Sequence, residues 1–383
     1  MINPNLYQRC NKGLWDSSIP RIKFDINGFS NYYYMYKRLE KEFPRGKKGE
    51  NKWNKVIKSI SRIGAANEHD CIIGLSGGTD SSYLLHLAVK EWGLRPLAVT
   101  IDNGWNSDIA VANIKKMTDA LNVSLETYVI NYEEVKVVLK AYMRSGLPWI
   151  DGPTDRAIKS VLYKIAAQEN IKTILVGTDF RSEGKQPEEW THNDNKLFDY
   201  VVKNFGGEKV KSYPNMSLVA QIYYGAYRKI KKYQPFYHIN YNKKDAQNFL
   251  IKNYNWEYYG GHHHENLFTK FSIVYWLYEK FKIDKRIITF SAQVLSGEMS
   301  RDEALQILKE CPYDPKQMEL DRNVVLKKLD ISPTEFDKIW RSPNKTFHDY
   351  PSHYNFFIKN KKLIKKYSHL IMPSKPKMIV VED

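Results

Sequence analysis

The most constraining feature of this chain is an alternation of short apolar runs with helix-spaced segments, in which three runs end in small polar residues. Cys71-Ile72-Ile73-Gly74-Leu75 reads as a buried strand and opens into Ser76-Gly77-Gly78-Thr79-Asp80-Ser81-Ser82. Pro96 to Ile101 is a second strand, closed by Asp102-Asn103-Gly104, and Thr173 to Val176 runs straight into Gly177-Thr178-Asp179. Ser124 to Ile130 supplies one more strand. Between them, Tyr83–Trp92, Ser107–Leu121, Glu133–Arg144 and Thr154–Glu169 carry apolar residues at helical spacing, the last capped by Thr154 or Asp155. Another such segment, Asn51 to about Ala66, precedes the first strand. Continuous apolar strands alternating with amphipathic helices predict an α/β fold with a parallel sheet covered on both faces. Ligands of such sheets bind beyond the carboxyl ends of the strands, where the polar runs lie.

After Phe180 the alternation stops. Residues 181–383 hold helical patterns and many aromatics, predicting a mainly helical C-terminal region. The stretch Pro214–Asp245 interleaves tyrosine with Arg and Lys, a pattern that suits either a packed helix pair or a base-stacking surface. The expected division is an N-terminal segment (1–50), an α/β nucleotide domain (51–200) and the helical region (201–383).

Composition narrows the class. The chain has 383 residues, 27% of them charged and 42% hydrophobic, which suits a folded protein of more than one domain. No stretch reaches the ~18 uninterrupted apolar residues of a membrane span. The start lacks a signal peptide's apolar core, so a soluble, cytoplasmic protein is expected. Cys10, Cys71 and Cys311 are odd in number and far apart, which excludes a disulfide framework. The formal charge of +16 favours anionic ligands without choosing among nucleic acid, membrane or phosphorylated small molecules. It is spread through Lys37–Arg62, Arg228–Lys232 and Lys359–Lys366, each of which also suits a plain solvated face.

Chemistry concentrates in Ser76–Ser82. Two glycines let the backbone turn tightly and present N–H groups at a helix N-terminus, an anion nest to which the serines add hydroxyls. Asp80 would repel a phosphate unless a divalent cation, ordinarily Mg²⁺, bridged the two. The lysine and spacing of the Gly-x-x-x-x-Gly-Lys-Ser/Thr loop are absent.

The loop resembles the pyrophosphate (PP) loop of the N-type ATP pyrophosphatases, which adenylate a carbonyl oxygen and release pyrophosphate. That resemblance implies ATP and pyrophosphate contacts from Ser76, Gly77, Gly78, Thr79, Asp80, Ser81 and Ser82, with Thr100 to Asn103, Asp102 included, near adenine. Gly177-Thr178-Asp179-Phe180-Arg181-Ser182-Glu183 resembles a segment of NAD synthetase. It implies further ATP contacts at Gly177 and Thr178, and Glu183 beside Asp80 as a Mg²⁺ ligand.

Further along, Gly152-Pro153-Thr154-Asp155, Ile239 to Lys244, Tyr259-Gly260-Gly261-His262-His263-His264-Glu265, Thr269-Lys270-Phe271, Lys280 to Arg286 and Ser296 to Leu305 resemble the N-acetyl sugar amidotransferases of surface-polysaccharide and flagellar-glycan pathways. Those enzymes install acetamidino groups. The resemblance implies ATP and Mg²⁺ as cofactors and an N-acetylated, nucleotide-activated sugar as substrate. Asp80, Asp155 and Arg181 are then the catalytic candidates, and His263, Glu265, Thr269, Lys270 and Arg286 the substrate contacts. Three consecutive histidines point in different directions on any regular element, so a metal site there is not expected. The family commonly opens with two Cys-x-x-Cys pairs; here they read Tyr7-Gln8-Arg9-Cys10 and Ser30-Asn31-Tyr32-Tyr33. One cysteine of four cannot hold zinc, so no zinc is expected and tyrosine packing is expected in its place.

No cysteine stands at the extreme N-terminus, and Cys71 lies inside a strand, so ammonia is expected from a separate glutaminase. The alternative is a tRNA-modifying enzyme of the same ATP-handling group, lysidine-forming or thiolating. The three cysteines form no sulfur-transfer set, and nucleic acid is not the expected partner.

Overall fold

In the computed structural model, which describes residues 7–261, 264–364 and 366, five parallel strands form one sheet in the order β3-β2-β1-β4-β5. They are β1 (Cys71–Gly74), β2 (Pro96–Asp102), β3 (Leu125–Val129), β4 (Thr173–Leu175) and β5 (Lys231–Tyr233). In register, Ile72 of β1 lies between Leu97 of β2 and Ile174 of β4. Successive β1 residues point to opposite faces, and both faces are buried. Ile73 joins a core with Trp53, Leu84, Leu85, Ile114 and Met117, while Ile72 joins another with Val161, Leu162 and Ile165. Helices therefore cover both faces: α2 (Lys47–Gly64), α3 (Thr79–His86, continued by a π turn over Leu87–Glu91) and α4 (Asp108–Leu121) on one side, and α6 (Gly152–Gln168) on the other. Each fully buried Ile or Leu of this kind contributes about 1.5–3 kcal/mol.

The chain leaves β1 towards β2 and β3, then returns to the other side of β1 to lay down β4 and β5. The direction reverses between β1 and β4, and there the loops after adjacent strands diverge to leave a crevice.

Two local readings change. The α6 helix starts at Gly152 with Asp151 as its cap residue, one turn before Thr154 and Asp155, because Pro153 fits the first turn of a helix. The tyrosine-rich stretch is not a helix pair. It breaks into Leu218–Ile222, a π turn over Tyr223–Tyr227, the strand β5 and a turn at Pro235–Tyr237. The β5 strand escapes sequence patterning because it is a three-residue edge strand starting with two lysines, as exposed edges often do.

The N-terminal residues form a hydrogen-bonded knuckle ahead of α1 (Asn31–Glu42). Cys10 N–H donates to Trp15 O (2.7 Å) and Asn11 N–H to Gly28 O (3.0 Å), while Cys10 Sγ accepts from Ser30 N–H (3.3 Å). Phe29, Tyr33 and Tyr34 pack ring against ring. The knuckle is tied to the C-terminal helix Arg286–Ser296 by Leu14 N–H donating to Ser291 Oγ (2.8 Å). Farther on, Met318, Val325, Phe336 and Ile339 share one core with Val135, Val138 and Tyr142 of α5 (Tyr132–Arg144), which fixes the C-terminal helices against the sheet domain.

Candidate active site at the carboxyl ends of β1, β2 and β4

Gly78 is the cap residue of α3 and provides no side-chain cap, leaving the first-turn N–H groups to other partners. Ser81 Oγ accepts from Ser76 N–H (3.2 Å), and Ser76 Oγ accepts from Gly78 N–H (3.3 Å), so the serines hold the loop's shape. Gly77 has φ +76°, and a Cβ there would lie 2.2 Å from Ala110 O, so no other residue fits. A Cβ on Gly78 would meet Tyr259 Oη at 3.1 Å and Glu265 Oε1 at 3.4 Å. Thr79 N–H donates to Tyr259 Oη (3.3 Å). A phenol 180 residues along the chain, and a carboxylate farther on still, thus sit on the bare backbone of the loop.

The segment carrying them is anchored on both sides. Asn113 grips Glu257, accepting from its N–H (2.9 Å) and donating to its carbonyl (2.8 Å). Asn266 Nδ2 donates to Asn103 Oδ1 (3.3 Å) in the loop after β2, and Leu267 N–H donates to Trp105 O (2.9 Å).

Asp80 lies at the other side of the loop. Its Oδ1 accepts from the Tyr241 hydroxyl and its Oδ2 from Lys243 Nζ at 2.7 Å. Tyr241 is held flat against Phe236, with ring centroids 3.9 Å apart. Burial, then the Asp80 charge, pushes its phenol well above the ordinary range. Burial opposes the Lys243 ammonium, but Asp80 and Glu183 outweigh it and hold its pKa above that of an ordinary lysine.

The loop after β4 packs directly on this corner, since a Cβ on Gly177 would lie 2.9 Å from the Asp80 backbone. Asp179, 1% exposed, accepts from Arg45 at 2.8 Å, and its Oδ1 and the Arg45 Nε are both buried without hydrogen-bond partners. Burial raises the Asp179 pKa to about 6 against the pull of Arg45. Burial also raises Glu298, with the Asp179 charge adding to it.

The ATP-loop residues expected from sequence come together here. Ser82 accepts from Trp256 Nε1 (3.2 Å), Thr178 Oγ1 accepts from Gln234 (2.9 Å), and Asp102, the last residue of β2, accepts from Gly104 N–H (2.8 Å), with Thr100 buried two residues before it. The remaining candidates scatter. Arg181 is buried, with its guanidinium on Phe43 O (2.5 Å) and Tyr237 O (3.2 Å), so it ties elements together rather than facing the loop. Asp155 accepts from Trp149 Nε1 (3.0 Å); the carboxylate that meets Thr269 is Asp151, one turn earlier (2.7 Å). Lys270 pairs with Asp321 (2.6 Å). Arg286 is committed to Asp284 (2.8 Å) and the Ile307 and Glu310 carbonyls. Of the substrate candidates, only Glu265 reaches the loop, and His263 lies outside the described residues. Sequence reasoning missed Arg45, Asp179, Tyr241, Lys243, Tyr259 and Glu298 as site residues, although most fall in the stretches that carry the sugar-amidotransferase resemblance.

The oxygen donors Asp80 and Glu183, which both act on the Lys243 ammonium, suit a hard cation such as Mg²⁺. Among the described residues, however, no group of three or more such side chains stands in metal-holding geometry. Both Asp80 oxygens are engaged by hydrogen-bond donors, so a cation at Asp80 would displace the Lys243 ammonium.

The fold and this loop define a PP-loop ATP pyrophosphatase domain joined to a mainly helical C-terminal region: residues 52–185 match the family model of NAD synthase. Residues 265–365 match that of the LPS biosynthesis protein WbpG-like C-terminal domain. No curated protein matches the chain. Similar solved structures include an NMN synthetase from Francisella tularensis, 15% identical with a TM-score of 0.30, covering 82% of this chain and 99% of that one. An NH3-dependent NAD synthetase from Campylobacter jejuni is 14% identical with a TM-score of 0.31, covering 79% and 97%. A U34-tRNA thiolase from Methanococcus maripaludis with a [4Fe–4S] cluster is 14% identical at 0.30, covering 80% and 97%. Superposition at that level carries no argument about function. Among the described residues, no helix is long and apolar enough to cross a membrane.

Proposed function

We propose that this chain is an ATP-dependent amidotransferase that converts the N-acetyl group of a nucleotide-activated sugar into an acetamidino group, in lipopolysaccharide O-antigen or related glycan synthesis. One observation carries the reading. Tyr259 and Glu265 lie against Gly78, so the stretch where the WbpG-like match begins sits on the loop of the NAD synthase-like match. Two family signatures then serve one site.

An amide carbonyl is a poor electrophile, and its activation needs a better leaving group on carbon. In the proposed reaction the acetamido oxygen attacks the α-phosphorus of ATP and pyrophosphate departs. Ammonia then adds to the imidate carbon, the carbon–oxygen bond to AMP breaks, and the lost proton passes to solvent. The backbone N–H groups of Gly78 and Thr79 and the Ser76 and Ser81 hydroxyls would hold the departing pyrophosphate. For that, the Tyr259 phenol must leave the Thr79 N–H and the Ser76 hydroxyl must release the Gly78 N–H. Mg²⁺ on Asp80, with Glu183 as second ligand, would screen the triphosphate charge. Lys243, released from Asp80, supplies a further cation beside the loop. Ammonia would arrive from a separate glutaminase: Cys10 and Cys71 are buried, burial pushes the Cys71 thiol up, and the exposed Cys311 lies outside the loop site.

The test is pyrophosphate release from the purified chain supplied with ATP, Mg²⁺ and ammonium, against a panel of free, UDP-linked and CMP-linked N-acetyl sugars. Release that requires both a sugar and ammonium is expected. Silence across the panel, or stimulation by tRNA instead, overturns the reading.

A further inference from the structure

Beside the Asp80 corner, and bounded by Tyr241, lies an open cavity of about 380 Å³. Three distant stretches build it: Arg45 ahead of α2, Asn240 to Ala246 after the Tyr237 turn, and Ser296 to Glu298 at the end of the helix Arg286–Ser296. Its size falls within the ~300–1,000 Å³ of small-ligand sites.

The lining is chemically particular. Asn240, Asn242, Asp245, Ser296 and Glu298 offer carboxamides, a hydroxyl and carboxylates, which suit neutral hydroxyl groups rather than a phosphate chain. Asn242 spends its Oδ1 on the Asp245 N–H (3.0 Å), which leaves its Nδ2 donors directed away from the helix cap. Tyr83, half-buried, turns its ring to the cavity with the largely buried Tyr241 beside it, 6.0 Å between centroids and tilted by 35°, and the Tyr83 ring is an apolar face against which the C–H side of a pyranose packs. Two of the lining residues also touch the catalytic corner. The Tyr241 hydroxyl holds Asp80, and Arg45 holds Asp179. A ring seated on that face therefore has its substituents beside the PP loop.

We propose that this cavity is the acceptor-sugar subsite: it seats the N-acetylated pyranose, with the ring on Tyr83, the hydroxyls on Asn240, Asn242 and Glu298, and the acetamido carbonyl turned towards Asp80. The inference rests on the amidotransferase reading and seats the sugar on residues other than the expected contacts His263, Glu265, Thr269, Lys270 and Arg286.

The experiment uses the full-length chain and two variants, Asn240→Ala and Glu298→Gln, neither of which removes a PP-loop group. Pyrophosphate release is measured over sugar and ATP concentrations with the sugar that the panel selects. Binding of N-acetylglucosamine and UDP-N-acetylglucosamine is followed separately, without ATP, by saturation transfer to the acetyl methyl protons. Each variant is expected to raise KM for the sugar about 10-fold, the loss of one hydrogen bond to a polar or charged partner, with KM for ATP within about twofold of the parent. The acetyl signal should fall in both variants. If only the UDP-linked probe gives the signal, the nucleotide adds contacts outside the cavity; if both do, the pyranose suffices. Unchanged sugar KM and an unchanged acetyl signal in both variants overturn the subsite while leaving the amidotransferase reading standing. Absence of pyrophosphate release in the parent overturns that reading instead, and the binding arm then decides the cavity alone: no acetyl signal with either probe overturns it.

Discussion

The two sides of the PP loop are made differently. On the Gly77–Gly78 side the site is backbone, shaped by positive φ, close approach and N–H direction, within ten residues of β1. On the Asp80 side it is side chains, and the partners of Asp80 come from 161 and 163 residues away. A backbone site tolerates almost no substitution where the chain turns. A side-chain site is assembled by tertiary packing, and each member can be altered singly. The first side therefore governs whether the anion nest exists, and the second governs what chemistry occurs in it.

The largest expected effect breaks the second side. Asp80→Asn should leave the fold intact, because the amide still accepts from Tyr241, yet lower pyrophosphate release ~10²–10³-fold by removing the carboxylate proposed to hold Mg²⁺ on the triphosphate. Circular dichroism and steady-state kinetics on one preparation separate the two outcomes, and near-parental activity would remove Asp80 from the chemistry.

Next comes a pair of glycines that tests the backbone side. Gly77→Ala combines a left-handed conformation with a Cβ pressed on Ala110 O at 2.2 Å, and should cost about 3 kcal/mol or more. Gly207→Ala has φ +81° but open space around it, and should cost about 1 kcal/mol. Equal losses in denaturant titrations would mean that close approach at Gly77 does not matter.

A smaller effect concerns Asp179. Its carboxyl is raised from 3.8 to about 6 in the folded protein, so the native state binds a proton that the unfolded chain has already lost. Stability from this group is therefore greatest at acid pH and declines as pH rises from about 4 through about 6, by up to about 3 kcal/mol. In Asp179→Asn, whose amide oxygen still accepts from Arg45, that decline should vanish. Parallel pH–stability curves for parent and variant would contradict the burial argument.

What was legible in the sequence follows the same division. The strands at Cys71–Gly74, Pro96–Asp102 and Thr173–Leu175 and the loop Ser76–Ser82 announce themselves through local pattern, because apolar runs and glycines act on their own stretch of backbone. Lys270 and Arg286 looked equally available as substrate contacts. Nothing in the sequence reveals that Asp321 and Asp284 already hold them. Sequence pattern points to Asp155, whereas the carboxylate that meets Thr269 is Asp151, because the helix starts earlier than Thr154 and Asp155 suggest. Tyr241 and Lys243 sit in a segment singled out by resemblance, but their meeting with Asp80 depends on how β5 and the following turn bring residues 237–243 back to the loop.

The central claim, that one site joins ATP to an N-acetyl sugar through its carbonyl oxygen, is tested most directly by isotope transfer. An acceptor sugar carrying heavy oxygen in its acetamido carbonyl is turned over with ATP, Mg²⁺ and ammonium, and the AMP formed is weighed by mass spectrometry. The account predicts that the heavy oxygen appears in AMP and that the sugar product retains none of it. Unlabelled AMP formed alongside an unchanged, still-labelled sugar would contradict it.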